Sequence, residues 1–201
     1  LMALLYETFV IGKPYPTNNE AVLRFFEPNL TLFLILISFV FSMLGVVFVV
    51  RYLHHQTMLS ITTSRDKVDW GRIRFSFSIW ALFTIVSTLS FYHYNPNDFE
   101  INFKPVPFAI LAVIGLLLIP IQTSSEEYIF RGYLMQGFGN LAKNKWFPLL
   151  MTSLIFGAMH ISNPEVSKLG NIIMVYYIGT GLFLGVITLM DEGMELALGF
   201  H

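Results

Sequence analysis

The sequence predicts an all-α, polytopic transmembrane helical bundle of about six to seven spans, truncated at one or both ends. Three observations carry that prediction. Of 201 residues, 55% are apolar and 12% are charged, whereas a soluble domain is roughly a quarter charged. The mean hydropathy is +0.63. The apolar residues also gather in blocks close to the roughly 20-residue length at which a helix crosses a bilayer. A soluble core of this size would leave too much apolar surface in water.

Composition excludes several classes of function. The net charge is -1, from 12 Lys and Arg against 13 Asp and Glu, so there is no basic face to hold phosphate backbones and nucleic acid is not an expected partner. The absence of cysteine removes disulfides, thiolate metal sites, a cysteine nucleophile and palmitoylation of the chain.

The spans follow in order. The chain opens at Leu1 with an apolar stretch to Val10 that lacks a charged leader, and it reads as the tail of something upstream rather than a signal peptide. The first span runs from about Leu30 to Val50 without a charge, and a polar stretch follows from Arg51 to Arg74. A second span covers about Phe75 to Tyr92, with Trp70, Tyr92 and Tyr94 at interface-like positions. After a polar stretch from His93 to Lys104, a third span runs from about Pro105 to Gln122, and a charged helix starts near Glu126 and turns back. Two more apolar segments cover about Trp146 to His160 and Asn171 to Met190. Asp191 suits the N-cap of a last helix, with Glu192 and Glu195 near its first turn and His201 inside its apolar pattern. No repeat or long linker divides the chain, so residues 1–201 form a single membrane-embedded domain with 1–29 as a membrane-proximal segment.

Positive residues orient the bundle. Arg51, Arg65, Lys67, Arg72 and Arg74 lie in one polar stretch and only Lys104 in the next, so the former is cytoplasmic. The third span then descends toward the cytoplasm, which places Glu126 near that side, returns His160 to it, and leaves Lys143 and Lys145 facing outward against the rule.

Chemistry concentrates in three places. Glu126, Glu127 and Arg131 are ionisable groups in a segment that otherwise suits lipid, where charges cost several kcal/mol. Glu127 and Arg131 are four apart on one helix face and form the natural ion pair, leaving Glu126 pointing about a hundred degrees away. Phe156 sits one turn before His160 and would shield its imidazole. His201 is the third. Singly, each has a bland reading: an acidic helix start, an interface histidine, and the first residue of a purification tag.

Taken together, Glu126-Glu127-x-x-x-Arg131, Phe156-x-x-x-His160 and a later histidine resemble the three ordered motifs of the CAAX protease and bacteriocin-processing family of intramembrane peptidases, also called the Abi family. The stretch from about Phe103 to His201 reads like its bacterial members. In that family the third motif is a histidine followed four residues later by asparagine, and His201 supplies its first residue. The resemblance implies that 103–201 holds the catalytic helices and that Glu126 and His160 activate a water that attacks a peptide carbonyl. It also implies that His201 supports the oxyanion and that Glu127 and Arg131 orient the site. It implies a multi-pass protein of a bacterial plasma membrane, whose partners are membrane lipid and a peptide or protein substrate, lipidated or membrane-bound. No cofactor is expected. The same donors, Glu126, His160 and His201, also suit a divalent metal such as zinc, which stays an alternative.

Helix direction then sets a geometric expectation: Glu126 lies between His160 and His201, within one bridging water of His160, and His201 sits about nine residues into its helix. Other intramembrane protease types lack their motifs. There is no Gly-x-Ser-Gly, no His-Glu-x-x-His, and no aspartate after Asp98 except Asp191. The rival functions are a catalytically silent immunity or scaffold protein and a transporter, and transport is disfavoured because the first two spans carry no charge along a path.

Overall fold

Caps and prolines set the helix boundaries of the computed structural model, which describes residues 2–17 and 19–201. Leu1, where the sequence reading places a cut end, lies outside the described residues. Two short helices, α1 (Met2–Phe9) and α2 (Asn19–Leu23), come first. Glu27 opens α3 (Pro28–Phe48): its side chain accepts from the Leu30 N–H at 3.1 Å, and Pro28 stands where a helix has no hydrogen bond to lose. A π-helical turn, Val49–Leu53, extends this rod, and His55 leaves it with a left-handed φ of 53°. Thr57 caps α4 (Met58–Thr62), and Asp69 caps α5 (Trp70–Tyr94) by accepting from the N–H groups of Gly71 at 2.9 Å and Arg72 at 3.3 Å.

The next rod departs from the sequence reading. Helix α6 (Pro105–Glu127) continues through a π-helical stretch, Tyr128–Leu134, into α7 (Met135–Ala142) without a break. Glu126 therefore does not open a helix that turns back; it lies deep inside one rod that keeps its direction. Pro120 falls within this rod, so even a proline does not end it. The turn comes at Lys143, which is left-handed at φ 52°, and Asn144 then caps α8 (Trp146–Met159) by accepting from the N–H groups of Trp146 and Phe147. A short α9 (Pro164–Leu169) leads to α10 (Ile173–Asp191) and α11 (Glu195–Phe200).

The all-α membrane bundle is as expected. Four rods among the described residues, rather than six to seven, are long and apolar enough to cross a membrane: Pro28–Leu53, Trp70–Tyr94, Pro105–Ala142 and Ile173–Asp191. The difference has a simple origin. The third apolar block and the charged helix after it are a single rod, α8 is 14 residues long, and α11 is 6. The exterior is correspondingly apolar, with Phe75, Phe77, Phe83 and Leu89 exposed along α5.

Two contacts fix how the first and third rods run. The Asn29 side chain donates to the Pro107 carbonyl at 3.0 Å, and His54 pairs with the Tyr133 hydroxyl at 2.8 Å. The sequence offsets are 78 and 79, so α3 and α6 advance side by side in the same direction. At the end they reach, Gln136 donates to the Ser60 carbonyl at 3.2 Å, which brings the basic stretch from Arg51 to Arg74 to the same end as Lys143 and Lys145. The expected outward position of those two lysines is thus corrected, and with it the violation of the charge rule disappears.

A second correction concerns Asp191, which ends α10 instead of capping the last helix. Arg65 Nη2 holds its carboxylate at 3.1 Å and Arg72 binds the same oxygen, so the residue belongs to a charged clasp. Arg65 also reaches the fully buried Glu195 at 3.3 Å, and the Asp69 N–H donates to Glu195 at 3.2 Å. This clasp locks the α10–α11 turn onto the segment before α5. The Met194 N–H donates to the Thr62 carbonyl at 2.8 Å and completes it.

Small residues let α8 and α10 approach closely. A Cβ on Gly181 would stand 3.0 Å from Ser153 Cα and 3.1 Å from its carbonyl oxygen, both backbone atoms that cannot swing away. Close packing of membrane helices depends on such positions. Gly181→Leu is expected to lower stability by about 1–3 kcal/mol through overpacking, read as a drop in the thermal unfolding midpoint in detergent; an unchanged midpoint would show that the two helices are not in contact there.

Candidate functional site

The rod carrying Glu126 and Glu127 presents them to two other helices. Glu127 is fully buried, and Arg131, one turn later in the π-helical stretch, meets it with Nη1 to Oε1 at 2.9 Å. Arg131 Nη2 donates to the Gly181 carbonyl at 3.1 Å, halfway along α10, where the absence of a side chain lets the guanidinium reach backbone. The pair read from the i, i+4 spacing is present. A buried charge pair of this kind needs its remaining donors satisfied, and the α10 carbonyl does that for one of them.

His201, just past the end of α11, closes the cluster. Its Nδ1 lies 2.6 Å from Glu127 Oε1, so this nitrogen donates to the carboxylate, and its Nε2 stands 3.6 Å from Glu126 Oε2. The second distance is beyond a normal hydrogen bond. One histidine thus faces both carboxylates, held by the inner one. Glu126 is 13% exposed and its Oε1 accepts from the Gln122 side chain at 2.7 Å, one turn earlier on α6. The carboxylate is therefore fixed without being enclosed.

His160 sits at the end of α8 and is arranged differently. Its Nδ1 donates to the Phe156 carbonyl at 2.7 Å, which leaves Nε2 as the lone-pair nitrogen of the neutral ring. Tyr177 stacks on it from α10 with centroids 4.4 Å apart and planes at 24°. No direct hydrogen bond joins His160 to Glu126 among the described residues, and the direct contacts of both glutamates to a histidine go to His201. The link to His160 runs through Phe156. That ring, 2% exposed, has centroids 4.8 Å from His160 and 6.1 Å from His201, and Arg131 Cζ stands 4.7 Å over it. His201 also falls directly after a six-residue helix rather than nine residues into a long one, because the α10–α11 turn consumes 192–194.

Three contributions to this arrangement were not foreseen from the sequence, in which Gly181 reads only as a small residue that permits close helix packing. Gln122 carried a signal, four residues before Glu126 on the same face. Tyr177 and the Gly181 carbonyl carried none, since they come from another helix. As for metal, Glu126, His160 and His201 do not converge: no group of three His, Asp or Glu side chains among the described residues could share one ion. The donors thus do not fit a three-ligand site in this arrangement.

An apolar groove of about 780 Å³ leads to His201 between α5, α6 and α11, walled by Phe77, Trp80, Ile85, Ile119 and Pro120. Of the charged cluster, His201 is the residue that lines it.

Fold and cluster together define a multi-span helical integral membrane protein with buried charges on its third rod. The chain belongs to the Rce1-like family: residues 105–201 match the family model for type II CAAX prenyl endopeptidase Rce1-like. It is also 32% identical over 202 residues to "Uncharacterized protein YyaK" of Bacillus subtilis (strain 168), aligning over 100% of this chain and 67% of that protein. No solved structure matches it.

Proposed function

We propose that this chain is the core of an intramembrane endopeptidase of the CAAX-protease type, acting in a bacterial plasma membrane with its site toward the cytoplasm. The observation that carries the reading is the convergence of Glu126 and of Glu127, itself paired with Arg131, on His201, which lines an apolar groove. Ionisable groups placed there at such cost call for a chemical use. The basic end shared by Arg51, Arg65, Lys143 and Lys145 supports the orientation.

In this reading Glu126 takes a proton from water, the water oxygen bonds to the peptide carbonyl carbon, and the carbonyl oxygen gains negative charge. In this step His201 carries protons on both ring nitrogens: its Nε2–H supports the oxyanion while Glu127 accepts from Nδ1–H and fixes the ring. The proton held by Glu126 then passes to the leaving amine as the C–N bond breaks. His160 offers its free Nε2 to the same water once a substrate has drawn the helices together, since catalytic hydrogen bonds tighten in the complex. The groove would hold the apolar or lipidated part of a membrane-bound substrate. No cofactor enters these steps.

The second reading, a catalytically silent immunity or scaffold protein, draws on the missing bond between Glu126 and His160. One experiment separates the two. The full-length protein in liposomes, given a prenylated membrane-anchored peptide, is expected to release a shortened product detectable by mass spectrometry, and His160→Ala is expected to release none while unfolding at an unchanged temperature. Equal turnover in His160→Ala would defeat the mechanism, and no product from either would favour the silent reading. Dialysis against a divalent-metal chelator is expected to leave the rate unchanged; a loss restored by zinc would reverse the assignment of a metal-free site.

A further inference from the structure

We infer that a second pocket, at the basic end of the bundle, binds a phosphate group carried by the headgroup of an anionic lipid. The pocket has a volume of about 600 Å³ and lies between the 60–64 segment, the turn joining α7 to α8, and the turn after α10. Its walls include Lys143, Lys145, Thr63, Ser64, Glu192 and Arg131, and none of Glu126, His160 or His201. It is therefore distinct from the groove that leads to the candidate site, and the inference does not rest on the proteolytic reading.

The charge balance points to an anion. Lys143 and Lys145 are exposed and form no ion pair among the described residues; the Lys145 ammonium has only the ring of Trp146, at 5.9 Å. Against these two cations stands one carboxylate, that of Glu192. Behind them is Arg131, 3% exposed, whose Nη1 and Nη2 are engaged by Glu127 and Gly181 while the buried Nε has no partner among the described contacts. Thr63 Oγ1 accepts from Arg65, so its own proton is free to donate into the pocket.

Position and size narrow the anion to a headgroup phosphate. The pocket sits where the apolar helices α8 and α10 give way to charged turns, and Trp146 marks that level as aromatic residues do at a membrane interface. Basic pockets between membrane helices at this depth bind anionic head groups. A bare phosphate would fill a small part of about 600 Å³, whereas a phosphoglycerol headgroup uses both the cations and the hydroxyls of Thr63 and Ser64.

The test uses the full-length protein in nanodiscs of phosphatidylcholine, with and without phosphatidylglycerol, and separately with inorganic phosphate against chloride at equal ionic strength. Phosphatidylglycerol is expected to raise the thermal unfolding midpoint. Lys143→Gln/Lys145→Gln, both exposed positions that leave the packing intact, is expected to weaken that binding by roughly 30-fold, the effect of removing two positive charges near a membrane surface. Lys168→Gln, on α9, is expected to respond as the unaltered protein does. If inorganic phosphate alone raises the midpoint and the double variant abolishes the rise, the phosphate site stands with a soluble source in place of a lipid. No rise with either anion, or a rise that survives in the double variant, overturns the inference.

Discussion

Glu126→Ala is expected to lower peptide cleavage by at least roughly 10²–10⁴-fold, the contribution of a positioned general base, while the protein stays folded in the membrane. The expectation follows from the different settings of the two adjacent carboxylates. Glu127 is fully buried and committed to Arg131 and His201, whereas Glu126 is 13% exposed, is steadied by Gln122 on one oxygen, and has its other oxygen 3.6 Å from His201 Nε2. Only the second can take a proton from an incoming water without breaking the helix packing. Rates of product release in liposomes check this, with the unfolding midpoint measured alongside. Undiminished turnover in Glu126→Ala would move the catalytic role elsewhere.

Arg131→Ala is expected to cost about 3–5 kcal/mol of stability, because it strands a buried carboxylate. Glu127 would keep His201 but lose the guanidinium at 2.9 Å, and the Gly181 carbonyl would lose its donor at 3.1 Å. The double variant Glu127→Gln/Arg131→Met removes both charges and is expected to recover a large part of the loss, as replacement of a whole buried pair usually does. Denaturant or thermal unfolding in detergent reads both effects. A near-normal midpoint for Arg131→Ala would mean that water reaches the pair.

What was legible in the sequence was whatever depends on a single helix. Apolar blocks near membrane length gave the spans, since a backbone in lipid must satisfy its own hydrogen bonds and length alone decides whether it crosses. The Glu127–Arg131 pair followed from four-residue spacing, and the ordered motifs pointed to the Rce1-like family that the comparison then showed over residues 105–201. The continuity of the rod from Pro105 to Ala142 was not legible, because Glu126, Glu127 and Arg131 resemble the charged start of a new helix and only their burial against α10 and α11 removes the need for one.

Partners contributed by other helices were likewise beyond the sequence. Asp191 has the local character of an N-cap, yet Arg65 and Arg72, more than a hundred residues earlier, claim its carboxylate and make it the end of α10. Lys143 and Lys145 looked misplaced until the rod was seen to keep its direction. The sequence by itself determined that the chain is a helical membrane protein and which ionisable residues need a reason to be there, because helix periodicity and the cost of charge in lipid are local quantities. Only the tertiary structure decided that both glutamates face His201, since that depends on where α11, clasped at Glu195 to Arg65 and Asp69, is set against α5 and α6.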